Sequence, residues 1–283
     1  MNPLASRLKS RSLFKFILGL TNFDMAEIRF LTQVYTLAGT DIIDVAAEPE
    51  VVAATHRAMA DLREECPNLP DPPRIMVSAA LTHDPHIEGV PLGPEHRASV
   101  APATICELVA SVEACLGEGA NMVELHASDS DDLSLKEAVV ALHPLLEDRY
   151  LSVCLGTQGL RSPRDVIRQA QLVEEIHGPF TMIQAEGLAT ARRGDPWSSL
   201  PGLTLAQALL ANTSAFVLVA GGANHWTRNL ADILGIPIHG VASGSYARGL
   251  VKGFQGAHVQ GAQWEPVVQI ARGLVEQFRG GVP

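Results

Sequence analysis

Cysteine and aromatic residues are scarce in this chain of 283 residues. Aromatic side chains make up 5% of the sequence, and there are four cysteines, at positions 66, 106, 115 and 154. The cysteines form no CxxC pair and have no Cys/His spacing of a zinc site. We therefore expect a reducing, cytosol-like compartment in which the four thiols are small core residues.

Positive charge and long apolar runs are also in short supply. The chain has 21 Lys+Arg against 31 Asp+Glu, a formal net charge of −10. Nucleic acids and anionic membranes bind cationic surfaces, so this balance argues against both as the main partner. No apolar run reaches the length of a membrane span, and the stretch 13–20 contains Lys15 and lacks a small-residue cleavage site. We expect neither a membrane span nor a secretion signal.

Short apolar runs alternate with helical patterns along almost the whole chain, and 47% of the residues are hydrophobic. Eight runs are typical of buried strands: 15–20, 41–46, 75–80, 122–127, 151–156, 181–186, 216–220 and 238–242. Helices are predicted at 24–38, 50–65, 103–118, 133–146, 163–176, 203–211, 224–234 and 265–279. Gly39 follows the first helix as a C-cap, and Ser162 and Pro163 begin the fifth.

Eight βα units, with strands apolar on both faces, predict an α/β fold with one closed parallel barrel, the (β/α)8 or TIM barrel. An open doubly wound sheet is the rival, but the first strand is not followed by GxGxxG. We predict one domain over 1–283, with a lead-in at 1–12. Residues 81–102 are expected to form a long loop over the barrel mouth, and residues 192–202 a second loop.

Charged residues lie on strands that should otherwise be apolar. A charge packed against the helices would be unfavourable, so these side chains are expected in the barrel lumen or at its mouth. Residues with this placement are Lys15, Asp44, Glu124, His126, Gln184 and Glu186, and Ser78 and Cys154 share their face. The five ionisable ones are candidate catalytic residues, because barrel enzymes place their chemistry at the C-terminal ends of the strands.

Several kinds of chemistry fit this set. Neighbouring carboxylates can act as a general acid/base pair or bind Mg²⁺, and a desolvated lysine can form a Schiff base. A structural alternative is that Lys15 forms a buried ion pair that closes the barrel floor. His83, His86 and His96 are interpreted as loop-surface residues and not as a metal site, and no metal ligand is assigned.

Glycine and serine follow the last two strands, where TIM barrels bind phosphate. The predicted phosphate or substrate contacts are Asn22, Gln184, Gly221, Gly222, Gly240, Ser243, Gly244 and Ser245, and Arg248 is close enough along the chain to assist. The alternative is that these glycines only permit tight turns. A phosphosugar, another phosphorylated metabolite or a flavin mononucleotide (FMN) would suit such a site.

Several motifs together resemble a known family. They are Lys15-x-Ile17-x-Gly19-x-x-Asn22-Phe23, the segments 43–49, 119–124 and 183–187, and the late glycine turns. They resemble the hypothetical chloroplast reading frame twenty-three family of cyanobacteria and algal plastids, a domain of unknown function thought to be a TIM barrel. The first fifty residues are also similar to part of the cyanobacterial light-dependent-period proteins. The cysteine-rich ferredoxin-like insert of those proteins is absent here, so no iron–sulfur cluster is predicted.

The resemblance implies the barrel fold and a photosynthetic cell, in the cytoplasm or the plastid stroma, but no reaction. Our first hypothesis is a soluble enzyme of lyase, aldolase or isomerase type acting on a phosphorylated small molecule. The second is a non-catalytic metabolite-binding barrel with a regulatory or assembly role, whose protein contacts would use Trp197, Trp226 or Trp264. The third is an FMN enzyme.

Overall fold

Eight parallel strands form a closed barrel in which each strand pairs with the next and β8 pairs with β1. In the computed structural model, the described residues are 3–67, 69, 71–81, 92–128, 130–156, 162–187, 195–254 and 264–280. The strands are β1 Leu13–Gly19, β2 Ile42–Ala46, β3 Arg74–Ala80, β4 Met122–His126, β5 Leu151–Gly156, β6 Thr181–Glu186, β7 Phe216–Ala220 and β8 Gly240–Ser243. The prediction of a single TIM barrel is confirmed.

One helix, α1, precedes the first strand, and the others follow the strands and cover the barrel. They are α1 Pro3–Lys9, α2 Met25–Ala38, α3 Pro49–Glu65, α4 Pro94–Val100, α5 Ile105–Gly117, α6 Asp132–Leu142, α7 Pro163–His177, α8 Leu200–Leu210, α9 Thr227–Ile233, α10 Ser245–Val251 and α11 Trp264–Phe278. Two of them, α1 and α4, lie in segments expected to be a lead-in and a loop. Residues 82–91 of that loop lie outside the described residues, as do residues 192–194 of the second loop.

Local sequence signals set several of the helix ends. The Asp24 side chain accepts hydrogen bonds from the backbone N–H groups of Ala26 and Glu27, which begins α2, and Gly39 ends it in the left-handed conformation. Ser162 and Asp165 form a capping box at the start of α7. The helix predicted over 224–234 begins three residues later, at Thr227.

Alternate strand residues pack on the two sides of the barrel wall. The outward side chains form the main core with the helices, as where the Phe16 ring stacks on Tyr35 of α2 with 3.7 Å between ring centroids. The inward side chains of the strand beginnings form a separate apolar floor, which comprises Leu13, Ile42, Met76, Met122, Met182 and Leu218. Helix α1 packs Leu4 and Leu8 against this floor, so the described residues close the lumen at the N-terminal ends of the strands.

The cysteines are divided between core and surface. Cys115 and Cys154 are buried as expected, but the expectation is wrong for Cys66 and Cys106, which are exposed at the end of α3 and the start of α5. Other residues of α3 and α5 pack against the core, and these two cysteines face solvent. Among the described residues, no helix is long and apolar enough to cross a membrane.

Candidate active site

A fully buried lysine lies at the centre of the lumen. The Lys15 ammonium contacts Asp44 Oδ2 at 2.9 Å and Glu124 Oε2 at 2.6 Å, and it donates a hydrogen bond to Gln184 Oε1 at 2.9 Å. An ammonium has three protons to donate, and three acceptors from β2, β4 and β6 take them. Lys15 therefore joins four strands and has no donor left for a ligand.

Two serines complete this layer of the lumen. Ser78 donates to Asp44 Oδ1 at 2.5 Å, and Ser152 donates to Glu124 Oε2 at 2.6 Å. We call Lys15, Asp44, Ser78, Glu124, Ser152 and Gln184 the lower polar layer; each of them is at most 2% exposed. Its short, charge-assisted hydrogen bonds hold Lys15, Asp44 and Glu124 each from more than one strand.

The charges in the lower polar layer shift one another's protonation. Burial by itself lowers the pKa of Lys15, but the carboxylates of Asp44 and Glu124 outweigh it and leave that pKa raised. Burial also disfavours the ionised carboxyl groups. It leaves the pKa of Asp44 raised, whereas Lys15 and His126 hold the pKa of Glu124 below its usual value. Lys15 is thus an ammonium at neutral pH, which argues against a Schiff base on its nitrogen.

The same geometry argues against Mg²⁺ between Asp44 and Glu124. The Lys15 ammonium already lies against both carboxylates, where a divalent cation would have to bind. Within the described part of the chain, no three His, Cys, Asp or Glu side chains converge in a group that could hold a metal ion.

A second polar layer lies one step closer to the mouth. It comprises His126, Ser128, Cys154 and Glu186, and we call it the upper polar layer. His126 Nε2 lies 3.5 Å from Glu124 Oε1, and Glu186 Oε2 accepts hydrogen bonds from Ser128 Oγ at 3.1 Å and Cys154 Sγ at 3.4 Å. His126 and Glu186 are 8% and 5% exposed, so both reach the mouth from below.

Gln184 connects the two layers. Its Oε1 accepts from Lys15, which turns its Nε2 toward Cys154 Sγ at 3.4 Å. Gly156 at the end of β5 lies beside the upper polar layer, since a Cβ there would be 3.5 Å from Ser128 Oγ and 3.6 Å from Glu186 Cβ. The structure therefore brings the six predicted lumen residues into one connected network.

The wall of the mouth includes a group that we did not predict. The His96 ring of α4 stacks on Phe23 with 3.9 Å between centroids, and its Nδ1 lies 3.5 Å from Oε2 of Glu48, the residue before α3. His96 was expected on a loop surface, but it is half-buried on α4. The helical pattern of 94–100 was the signal that could have placed it on an ordered element.

The predicted ligand contact Asn22 belongs to the turn between β1 and α2. Its Nδ2 donates to Glu27 Oε2 at 3.3 Å, and its Oδ1 accepts from the backbone of Asp24 at 3.1 Å. Both ends of this amide are thus used in shaping the turn, beside the mouth but not in the lumen network.

The glycines after β7 have a packing explanation. Gly221 and Gly222 both have positive φ, and a Cβ on Gly221 would lie 2.7 Å from the carbonyl oxygen of Gly187. A Cβ on Gly222 would collide with the carbonyl oxygen of Ser198, whose Oγ donates to the Gly222 carbonyl at 2.6 Å. Close backbone approach alone therefore requires glycine at both positions.

The residues of β8 and its turn are divided between the two faces of the barrel wall. Gly240 lies against Leu13, whose carbonyl oxygen would be 2.6 Å from an added Cβ, and Ser243 Oγ donates to the Ala223 carbonyl at 3.3 Å. Gly244 lies against Ile17 of β1, and Ser245 is exposed at the start of α10. A phosphate role for these residues stays a prediction.

Two of the three tryptophans are exposed on the described surface. The exposed fractions are 61% for Trp197 and 44% for Trp226. The Trp264 side chain lies outside the described residues, as do His83 and His86. A role of the tryptophans in protein contacts stays a prediction.

Fold and lumen together define a TIM barrel with polar residues at the C-terminal end of its strands. A family model described as "Protein of unknown function (DUF561)" matches residues 1–63. This match supports a relation to an uncharacterised domain family over that segment, and it does not confirm the likeness to the chloroplast reading frame or light-dependent-period families. No curated protein matches the sequence.

Solved structures with the same fold cover nearly the whole chain. The YdjI aldolase from Escherichia coli K12 aligns with a TM-score of 0.54 and 11% identity over 97% of this chain and 94% of its own. An octameric ribulose-1,5-bisphosphate carboxylase/oxygenase from Pyrococcus horikoshii OT3 aligns with a TM-score of 0.57 and 10% identity over 96% of this chain, which spans 59% of that protein. A truncated 3-deoxy-D-arabino-heptulosonate 7-phosphate synthase from Thermotoga maritima aligns with a TM-score of 0.51 and 9% identity over 93% of this chain and 84% of its own. At these identities the likeness shows the fold alone.

Proposed function

We propose that this protein is an enzyme that carries out acid/base chemistry on a phosphorylated small molecule at the barrel mouth. The observation that carries the proposal is the pair His126 and Glu186. Both side chains lie at the mouth end of a lumen whose floor is apolar, and both are held by groups beneath or beside them. Proton transfer needs groups of this kind, fixed in place but within reach of a ligand.

The lower polar layer supports this pair without meeting the ligand. Glu124 is fixed by Lys15 and Ser152, and its second oxygen faces His126. A carboxylate behind a histidine orients the ring and stabilises its protonated form, as an acid/base cycle requires. Lys15, Asp44 and Glu124 are therefore positioning residues in this proposal.

The substrate class rests on the position of the site and on fold neighbours. Two of the similar barrels have names that refer to phosphorylated sugars, ribulose-1,5-bisphosphate and heptulosonate 7-phosphate. Aldolase and synthase names among the neighbours favour carbon–carbon bond chemistry of lyase or aldolase type, which begins with removal of a proton. A cytoplasmic or stromal location is compatible with this proposal.

The first experiment is native mass spectrometry of the gently purified full-length protein, with a visible spectrum of the same sample. We expect a co-purified phosphorylated compound. If none is retained, a thermal-shift screen of sugar phosphates supplies the ligand. A yellow sample with a flavin mass would instead support the FMN enzyme.

Catalysis is then tested by exchange of a carbon-bound proton of that ligand with D₂O, followed by NMR. We expect wild-type protein to catalyse exchange, and Glu186→Gln and His126→Gln to slow it by about 100-fold or more, the range for loss of a general acid or base. Lys136→Met, an exposed change on α6, is the control and should exchange like wild type. A ligand that binds to wild type and to both variants equally, and whose carbon-bound protons never exchange, would support the non-catalytic metabolite-binding barrel.

A further inference from the structure

One partly buried arginine at the mouth has no partner in the described structure. Arg248 lies on α10, which directly follows β8. Its guanidinium lies over Gly19 at the end of β1, with Nη1 3.4 Å and Cζ 3.8 Å from the position of an added Cβ. Among the described residues, no carboxylate or carbonyl accepts a hydrogen bond from this guanidinium.

The backbone beside Arg248 is irregular at the end of β1. The pairing of β1 with β2 is irregular between Ile17 and Gly19. Gly19 has a φ of +117°, a backbone conformation that residues other than glycine rarely adopt. On the other side of the seam, Gly244 lies against Ile17. Gly19 and Gly244 thus both lack a side chain at the ends of the paired strands β1 and β8, and the guanidinium lies over the first of them.

The formal charge of the lumen favours a separate cation for an anionic ligand. Asp44, Glu124 and Glu186 oppose one lysine, and Lys15 is already bound by Asp44, Glu124 and Gln184. One lysine and three carboxylates give these four groups a formal charge of −2. A phosphate would be repelled by this set unless a cation outside it held the phosphate.

We infer that Arg248, at the seam between β8 and β1, is the binding group for the phosphate of the substrate. This inference rests on the proposed function and deepens it by placing the phosphate end of the ligand. A guanidinium can donate two parallel hydrogen bonds to a phosphate monoester, which lysine cannot do. The phosphate would lie at β8 and β1, with the reacting end extending across the mouth toward His126 on β4 and Glu186 on β6.

This placement differs from the turn after β7. There, Gly221 and Gly222 are accounted for by the close approach of Gly187 and Ser198, and Ser243 is bonded to the Ala223 carbonyl. The Arg248 guanidinium, by contrast, donates no hydrogen bond to any of the described residues at the mouth of the barrel.

The test uses inorganic phosphate as the probe and isothermal titration calorimetry of the full-length protein. We expect Arg248→Gln to weaken phosphate binding by about tenfold or more, and Arg248→Lys to weaken it less, because the charge remains without the fork. Arg29→Gln is the matched control: it removes the same charge from an exposed ion pair with Asp61 on the outside of the barrel. It should bind phosphate like wild type.

Equal binding by Arg248→Gln and wild type would overturn the inference, and so would the absence of phosphate binding by wild type. If Arg248→Gln does not fold, labelling of wild type with phenylglyoxal replaces it. Phosphate should then protect Arg248, read by mass spectrometry, but not Arg29, and unchanged labelling of Arg248 would overturn the inference. If Arg248→Gln loses phosphate binding but still catalyses normal D₂O exchange on an uncharged ligand, the phosphate site is distinct from the acid/base pair His126 and Glu186.

Discussion

The two polar layers of the lumen use the same kinds of side chain in different ways. In the lower layer, five contacts among Lys15, its carboxylates, Gln184 and the two serines measure 2.5 to 2.9 Å, and nothing reaches solvent. In the upper layer, three contacts of His126 and Glu186 measure 3.1 to 3.5 Å, and both side chains are slightly exposed. Hydrogen bonds weaken as they lengthen, so the lower layer is held more tightly than these contacts hold the upper one. We therefore expect the lower layer to contribute more to stability, and the proposed function assigns the chemistry to the upper layer.

The largest expected effect is the loss of the central cation. Lys15→Met should lower the free energy of unfolding by about 3–5 kcal/mol at pH 7.5, because it leaves the carboxylates of Asp44 and Glu124 buried without a cation. Denaturant unfolding at equilibrium measures this. Lys136→Met, on an exposed face of α6, should change stability by less than about 0.5 kcal/mol.

The same variant has a characteristic pH dependence. In the wild type, the pKa of Lys15 is raised, so its stabilising contribution is present at neutral pH and is lost only at strongly alkaline pH; the lowered pKa of Glu124 makes its contribution disappear only in acid. Without Lys15, the pKa values of both carboxyl groups rise. The deficit of Lys15→Met should therefore shrink as the pH falls from 7.5 to 5. A deficit that stays constant over this range would contradict a role based on charge.

A pair of serines compares the layers directly. Ser152 donates to Glu124 Oε2 at 2.6 Å in the lower layer, and Ser128 donates to Glu186 Oε2 at 3.1 Å in the upper layer. Hydrogen bonds to charged groups contribute about 1.5–3 kcal/mol, and longer bonds contribute less. We expect Ser152→Ala to destabilise the protein by about 2 kcal/mol and Ser128→Ala by about 1 kcal/mol or less, measured by thermal and denaturant unfolding. Equal losses would remove the distinction between the layers.

The smallest expected effect on stability belongs to Glu186. Glu186→Gln keeps an acceptor for Ser128 and Cys154, so the free energy of unfolding should change by less than about 1 kcal/mol while the D₂O exchange rate falls. Equilibrium unfolding and the exchange assay on one preparation give both values. A loss of stability comparable to that of Lys15→Met would instead assign Glu186 to the framework.

Much of the fold could be predicted because it depends on local patterns. Eight apolar runs and their helices identify the barrel, and the period of two along a strand puts Glu124 with His126 and Gln184 with Glu186 on one face. Helix α1 could not be recognised in this way, because its two buried leucines acquire an apolar partner only when the barrel floor forms around them. The same holds for His96, whose stacking partner Phe23 is 73 residues away.

The sequence by itself determined the number of βα units, the lumen-facing residues and the acidic character of the protein. These follow from periodicity and composition, which are properties of neighbouring residues. Only the tertiary structure decided how those residues are paired: Lys15 meets a glutamine 169 positions away, and Arg248 comes to lie over Gly19. Closure of the barrel brings the first and last strands together, and no pattern along the chain specifies which side chains then share protons and which keep donors for a ligand.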